Sequence, residues 1–423
     1  MNVKTLAQAI SCLDDYDPNA LPVAHARNII ADCIAPVTAI ERVPVRATLG
    51  RTLAEDVISG VDVPAHDNSA MDGYAVRHAD LVTGDVTTLR MIGTAFAGRP
   101  YAGIIAAGAC IRVMTGAVMP PGADTVVIQE MVTVEGDRIT IPAGQEAGQN
   151  RRLAGEDLKR GMPVLRRGHT LRPAELGLLA SLGATEAGVY RRLRVAFFST
   201  GDELVPAGAP MAQGQVYDSN RYTLYGMLSR MGCEVLDMGV VRDDPAKLES
   251  ALVTASANAD VIVTSGGVSV GEADFIRELL AKLGDVVFWK IAMRPGRPMA
   301  FGRVGSTLFF GLPGNPVAVM VTFYQFVRDA LLRMMGRTGD ISLPLLQVPC
   351  TDRLRKKPGR TEYQRGVLRR TSEGQWCVSL TGAQGSGILR SMSEADCFIV
   401  LHHDQGGVNP GDLVSVQLME GLA

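Results

Sequence analysis

The chain lacks an excess of charge of either sign: 42 Lys and Arg stand against 44 Asp and Glu, a net of −2 over 423 residues. A near-neutral balance supplies no general field for nucleic acid or an anionic membrane, so any anion site has to be local. Paired cysteines are also missing. Cys12, Cys33, Cys110, Cys233, Cys350, Cys377 and Cys397 are scattered and include no C-x-x-C pair. That argues against a zinc knuckle or a disulfide framework and for seven buried thiols in a reducing compartment. No apolar run approaches the roughly 18 residues that span a bilayer. The first residues carry Asp14, Asp15 and Asp17 where a secretory leader would be apolar. The six histidines show no ligand spacing, and His402-His403 in a strand would face opposite ways. These absences predict a cytoplasmic protein with no nucleic-acid or membrane partner.

What is present is length and pattern. A chain this long exceeds one ordinary core and predicts about three domains. PVAHARNIIADCIAPV reads as an amphipathic helix, and Asp67 to about Val164 reads as mostly β with long loops. A helix follows around Leu171, with Pro173 near its start and Gly183 past its end. From Leu193 buried strands alternate with helices: RVAFFS, CEVLDMGVV, DVIVTS, VVFWKIAM and STLFFGLP are strand-like. Asp244 and Pro245 mark one helix start, and NPVAVMVTFYQFVRDALLRMMG closes the region as one long helix. That alternation predicts a doubly wound parallel sheet. Beyond Leu343, short runs between turn signals predict a small all-β domain, barrel or sandwich. The fold class expected is therefore α/β multidomain: a central doubly wound sheet, an N-terminal β-rich extended region and a C-terminal β-barrel. The expected boundaries are 1–52 (helix and linker), 53–160 (β-rich), 161–190 (linker helix), 191–340 (central α/β) and 341–423 (barrel).

In an open α/β sheet, ligands sit beyond the carboxyl ends of the strands. Three polar loops follow buried strands here: Ser199-Thr200-Gly201-Asp202-Glu203, the stretch Ser265-Gly266-Gly267-Val268-Ser269-Val270-Gly271-Glu272-Ala273-Asp274, and Gly311-Leu312-Pro313-Gly314-Asn315-Pro316. All three are expected at one edge of the sheet. The second is neither a P-loop nor a dinucleotide fingerprint, yet its glycines let backbone N–H groups face an anion. A tight turn with no ligand is the bland alternative for it taken alone. Asp202, Glu203, Asp243, Asp244, Glu272 and Asp274 crowd the same edge with hard oxygens suited to Mg²⁺ beside a phosphate. Helix capping already accounts for Asp244, and a helix-dipole contact would account for Asp274. Lys290, Arg294 and Arg297, stiffened by Pro295 and Pro298, suit a small oxyanion, and a solvated loop is the bland alternative. Lys356 and Lys357 read as a solvated face. Asp67-Asn68-Ser69-Ala70-Met71-Asp72-Gly73-Tyr74 and Met114-Thr115-Gly116-Ala117 read, by composition, as turns.

Taken in order, DNSAMDGYAV, RVMTGAVMPPGAD, NRRLAGEDL, FSTGDEL, YDSNR, RDDP, SGGVSVGEADF, KIAMRPGRPMAFG, GLPGNPV and PGRTEYQRGVL resemble the molybdopterin molybdenumtransferase family, which includes the E domain of gephyrin. The resemblance runs from about Leu21 onward. It implies an elongated homodimer in which the partner's DNSAMDGY segment completes each active site. It also implies a reaction of adenylylated molybdopterin with molybdate that uses Mg²⁺ and releases AMP, the last step of molybdenum cofactor biosynthesis. Molybdopterin adenylyltransferase and apo-molybdoenzymes are the further partners it suggests.

Carried over by position, Asp274 matches the acidic residue tied to adenylate cleavage and Mg²⁺. Glu203, Asp243, Asp67 and Thr115 match other residues needed for activity. The metal set implied is Asp274, Asp243 and Glu203. Lys290, Arg294 and Arg297 match the cationic loop near molybdate, joined by Arg365 and Ser386. Gly266, Gly267, Ser269 and Gly271, with Pro313, Gly314, Asn315 and Pro316, form the facing loops. Arg294 and Arg297 stand where lysine is common in the family, and Ala318 where serine is common, which bears on anion geometry. The competing readings are a tungstate-tuned paralogue, a molybdopterin adenylyltransferase and a catalytically idle scaffold.

Overall fold

The computed structural model describes residues 3–13, 16–267 and 274–419. They form two compact units, one of Arg42–Leu49 and Glu55–Ala187, the other of Met1–Glu41, Gly50–Ala54 and Gly188–Ala423.

The first unit is built on a six-stranded sheet of β1 (Gly73–Val76), β2 (Thr87–Ala95), β3 (Ala109–Val113), β4 (Thr125–Ile128), β5 (Thr133–Glu135) and β6 (Arg138–Ile141), in the order β4-β1-β3-β2-β6-β5. Only β2 and β3 run parallel. Residues alternate between two small cores, Ala75 and Ile111 on one side, Tyr74, Val76 and Cys110 on the other, as the period of two in a strand requires. The helix expected near Leu171 is Pro173–Ser181, with Pro173 in its first turn and Gly183 beyond its end at φ +74°.

In the second unit, the amphipathic stretch after Leu21 is the helix Val23–Asp32, whose Val23, Ala26, Ile29 and Ile30 are buried. The central sheet comprises β7 (Arg194–Thr200), β8 (Glu234–Val241), β9 (Val261–Ser265), β10 (Gly284–Lys290), β11 (Pro298–Val304) and β12 (Thr307–Leu312), in the order β8-β7-β9-β12-β11-β10. Its inner strands carry unbroken apolar stretches because both faces are covered. Val195 and Phe197 point to one core, shared with Leu224 and Met227 of α1 (Ser219–Arg230). Ala196 and Phe198 point to the other, shared with Leu248 and Leu252 of α2 (Pro245–Asn258) and Leu279 of α3 (Asp274–Leu283). Each such side chain contributes roughly 1.5–3 kcal/mol of burial. The capping expected of Asp244 is present: its carboxylate accepts from Lys247 N at 2.9 Å.

The sheet is not wholly parallel. Strand β11, Pro298–Val304, was not anticipated as a strand, since prolines and arginines precede it. It runs antiparallel to both β12 and β10, the turn to β12 being made at Gly305 with φ +58°. Two reversals restore direction, so β10 runs parallel to β12, and Lys290 at its end lies on the same edge as Thr200, Ser265 and Leu312. The closing helix holds a wide π turn over Phe323–Val327, between α4 (Pro316–Thr322) and α5 (Arg328–Met334).

The C-terminal strands β13 (Leu345–Pro349), β14 (Thr361–Arg370), β15 (Trp376–Leu380), β16 (Cys397–Leu401) and β17 (Leu413–Leu418) pair in the order β15-β14-β16-β17-β13. A bridge between Cys350 and Val378 joins the two ends into a small barrel. A short strand, Met293–Arg294, adds to β14 in parallel, so the loop after β10 is shared by sheet and barrel.

Three expectations need correcting. His402 and His403 lie just past β16 and not in a strand, and His402 Nε2 is 2.9 Å from Ser415 Oγ. Lys356 is not solvated: it is buried, and its Nζ donates to the carbonyls of Gln405 at 2.6 Å and His403 at 3.1 Å. Its four-carbon stem packs while the ammonium finds backbone oxygens in place of water. Six cysteines are buried as expected, but Cys12 is exposed.

Candidate functional site

The described parts of the three polar loops meet at the carboxyl edge of the central sheet. Gly266 N donates to Leu312 O at 3.1 Å, tying the second loop to the strand that feeds the third. A Cβ at Gly266 would lie 2.4 Å from the Thr200 carbonyl oxygen, and one at Gly314 would lie 4.0 Å from Gly266 Cα. Gly266 also has φ +91°, so both its backbone conformation and the crowding around it call for glycine. Beneath the loops a buried polar chain sets their spacing. Ser265 Oγ donates to Ser199 Oγ, and Ser199 Oγ to Asp218 Oδ1, each at 3.0 Å. Asn220 Nδ2 donates to Gly314 O at 2.6 Å. Sequence reasoning passed over Ser199, Asp218, Asn220 and Ser265 as site residues, although YDSN and the strand-end serines were in view.

The carboxylates take up varied positions on this edge. Glu203 is exposed and folds back over Gly201, where a Cβ would come within 2.6 Å of its carboxylate. Asp202 reaches toward Arg242 at 3.7 Å, so the loops after β7 and β8 meet. Asp243, half-buried, sits in the loop after β8. The backbone of Asp274 opens α3, whose far end adjoins β10 at the opposite edge, so that opening faces the carboxyl edge. The side chain of Asp274, and Ser269 and Gly271, lie outside the described residues. Among the described residues no group of three or more His, Cys, Asp or Glu is placed to share a metal.

The cationic loop leaves β10 at the same edge. Ile291 N donates to Arg297 O at 2.7 Å, which closes Lys290–Arg297 into a compact turn. A Cβ at Gly296 would lie 2.5 Å from Thr322 Oγ1 and 3.5 Å from Ala318 O, so the turn rests on α4. Arg294 and Arg297 are exposed and Lys290 is half-buried. The barrel supplies two more expected residues. Val317 N donates to Ser386 O at 3.0 Å, which sets Ser386 beside Pro316. Arg365 is 1 % exposed, and donates from Nε to Ser391 Oγ at 3.0 Å and from its terminal nitrogen to the carbonyl of Gly385 at 3.2 Å. Burial, with the positive charge of Arg294 beside it, pushes the Arg365 guanidinium down to about 10. Among the described residues no carboxylate lies within ion-pair distance of it.

Asp67 and Thr115 belong to the first unit, where they occupy adjacent loops: Met119 N donates to Asp67 O and Gly116 N to Ser69 O. The Asp67 carboxylate is held by Arg151 and by Ala154 N at 2.7 Å, and these bonds keep it below the usual carboxylate range. Thr115 donates from N and Oγ1 to Asp72 Oδ1 at 2.7 and 2.8 Å.

Family models match along nearly the whole chain: the MoeA N-terminal region (domain I and II) over residues 21–183, a probable molybdopterin binding domain over 196–333 and the MoeA C-terminal region (domain IV) over 347–419. The chain is 43% identical over 398 residues to a molybdopterin molybdenumtransferase of Haemophilus influenzae, covering 94% of this chain and 98% of that protein. The chain belongs to the molybdopterin molybdenumtransferase family. It is an enzyme of the transferase class in molybdenum cofactor biosynthesis. Family membership extends to gephyrin of Dictyostelium discoideum, 32% identical over 95% of this chain and 62% of that protein. A molybdopterin biosynthesis MoeA protein from Pyrococcus horikoshii superposes with a TM-score of 0.83 at 29% identity, over 95% of this chain and all of that one. No helix among the described residues of this molybdenumtransferase is long and apolar enough to cross a membrane.

Proposed function

We propose that the protein transfers molybdenum from molybdate to molybdopterin supplied as its adenylylated form, releasing AMP. The observation that carries this reading is the meeting of the glycine loops, the turn Lys290–Arg297 and the buried Arg365 beside Ser386 at one sheet edge. Lys290, Arg294 and Arg297 hold the tetrahedral dianion, and Arg365 strengthens that hold from a low-dielectric position. Backbone N–H groups of Gly266 and Gly267 position the substrate's phosphate oxygens. Asp274 is the group assigned to cleavage of the pyrophosphate bond. Glu203 and Asp243 offer hard oxygen donors from loops after neighbouring strands, which suits Mg²⁺, an ion commonly held by one or two carboxylates with waters and phosphate. Mg²⁺ there supplies neutralisation of the pyrophosphate charge. Asp67 and Thr115 are read as contributions from the partner subunit of a homodimer, across which each site is completed.

The test is incubation of the purified protein with adenylylated molybdopterin, Mg²⁺ and molybdate, following AMP and then reconstitution of an apo-molybdoenzyme. AMP release that depends on the oxyanion, with cofactor able to activate the apo-enzyme, is the expected result. Incorporation of AMP into unmodified molybdopterin would instead make the protein an adenylyltransferase. A parallel arm with tungstate addresses Arg294 and Arg297, since their forks replace the point charges of lysine.

A further inference from the structure

Beside the site, the barrel carries a second cationic feature, of which the roles above use Arg294 alone. A cleft of about 590 Å³ is lined by Arg294, Arg353, Arg355, Lys356, Lys357 and Arg360, with Glu362 its one carboxylate and Gly407–Asn409 along one wall. Glu362 is spent on Arg360, 2.7 Å away. Lys356 is spent on backbone carbonyls. Arg294, Arg353, Arg355 and Lys357 have no carboxylate within ion-pair distance among the described residues, and all four are exposed. The last three alternate along an extended segment pinned by the bridge of Leu354 to Val408, which turns Leu354 and Lys356 inward and the three cations outward together. Like charges gathered around one cavity repel unless an anion occupies it. In a chain whose net charge is −2, the gathering is local and not a reflection of composition.

The size of the cleft bears on the ligand. A single small oxyanion engages one or two guanidinium forks, whereas this cavity falls within the range of pockets for organic ligands, roughly 300–1,000 Å³. Forked donors favour phosphate oxygens. We propose that the cleft is a binding site for a ligand with adjacent phosphate groups, free pyrophosphate or the diphosphate of a nucleotide. Because Arg294 lines the cleft and also belongs to the turn at the transfer site, a bound diphosphate draws on a cation that the oxyanion needs. The ligand therefore weakens oxyanion binding. Only this last consequence rests on the transferase reading.

Calorimetric titration of the full chain, without Mg²⁺, with pyrophosphate, ADP, inorganic phosphate and adenosine tests the site. Pyrophosphate is expected to bind, phosphate at least tenfold more weakly, and adenosine not at all. ADP binding as tightly as pyrophosphate makes the diphosphate the recognised group, whereas tighter binding of ADP adds a contact to its nucleoside. The double variant Arg355→Glu/Lys357→Glu is expected to lose at least tenfold in pyrophosphate affinity with an unchanged melting temperature. Arg353→Gln, a milder change, should lose a fewfold. Absence of pyrophosphate and ADP binding, equal binding by the double variant, or preference for an acidic peptide over pyrophosphate would each overturn the proposal. In the AMP-release assay, pyrophosphate should raise the molybdate concentration needed for half-maximal rate in the wild type and not in the double variant. Failure of that assay to show any turnover counts against the transferase reading and leaves the calorimetric result to decide the cleft.

Discussion

Replacing Arg365 by methionine should make the protein more stable and less active. The guanidinium is almost fully buried, and its pKa is pushed down to about 10, burial being the first cause and Arg294 the second. A base whose folded pKa lies below its unfolded value opposes folding wherever it is charged in both states. For Arg365 that is the whole range below about pH 10, and the penalty relaxes only as pH rises above it. A depression of this size corresponds to a cost on the order of 3 kcal/mol. Against this stand the bonds to Ser391 and Gly385, each contributing about 1 kcal/mol. The net expectation for Arg365→Met is a gain of about 1 kcal/mol in urea unfolding at neutral pH, in line with buried ions replaced by apolar groups of similar volume. Activity should fall roughly a hundredfold, the usual loss when one pre-positioned charge-stabilising group is removed. Destabilisation by more than about 1 kcal/mol with activity retained would mean that Arg365 is a structural strut and not a held-ready anion ligand.

Other outcomes follow from named contacts. Gly266→Ala should cost about 1–3 kcal/mol and most of the activity, because a Cβ meets the Thr200 carbonyl oxygen at 2.4 Å and φ is +91°; thermal melting and the AMP-release assay check both halves. Asp274→Ala should leave melting unchanged and abolish AMP release, so turnover at the wild-type rate would remove it from the chemistry. Glu175 is held down to about 2, first by Arg172 and then by His169. Its stabilisation is full above about 4.5 and is lost as pH falls toward 2. Glu175→Gln should therefore destabilise the first unit by about 1.5–3 kcal/mol at pH 7 and flatten its acid-unfolding curve over that window; a pH-independent difference would contradict the assignment.

Much of this architecture was legible because physical constraint wrote it into local pattern. Strands such as RVAFFS and DVIVTS carry unbroken apolar stretches, Val195–Phe198 and Val261–Val263, because both faces of the sheet are covered. Asp244-Pro245 and Gly183 announce helix ends by conformational preference alone. The convergence of the three glycine loops followed from the rule for carboxyl edges, and Gly266, Gly314 and Thr200 do meet. What stayed hidden depends on tertiary neighbours. The antiparallel strand Pro298–Val304 opens with a proline and carries Arg303, and only its pairing with two flanking strands reveals it. Lys356 looked like part of a solvated pair because burial of a lysine is decided by carbonyls about fifty residues away. The chain Ser265–Ser199–Asp218 joins separate elements through side chains that look unremarkable singly.

The proposed transfer requires one place where a metal oxyanion is held. Diffraction from crystals soaked in molybdate, recorded near the molybdenum absorption edge, locates that ion directly. The account predicts an anomalous peak bounded by Lys290, Arg294, Arg297, Arg365 and Ser386. A strong peak elsewhere with none among these residues would contradict it.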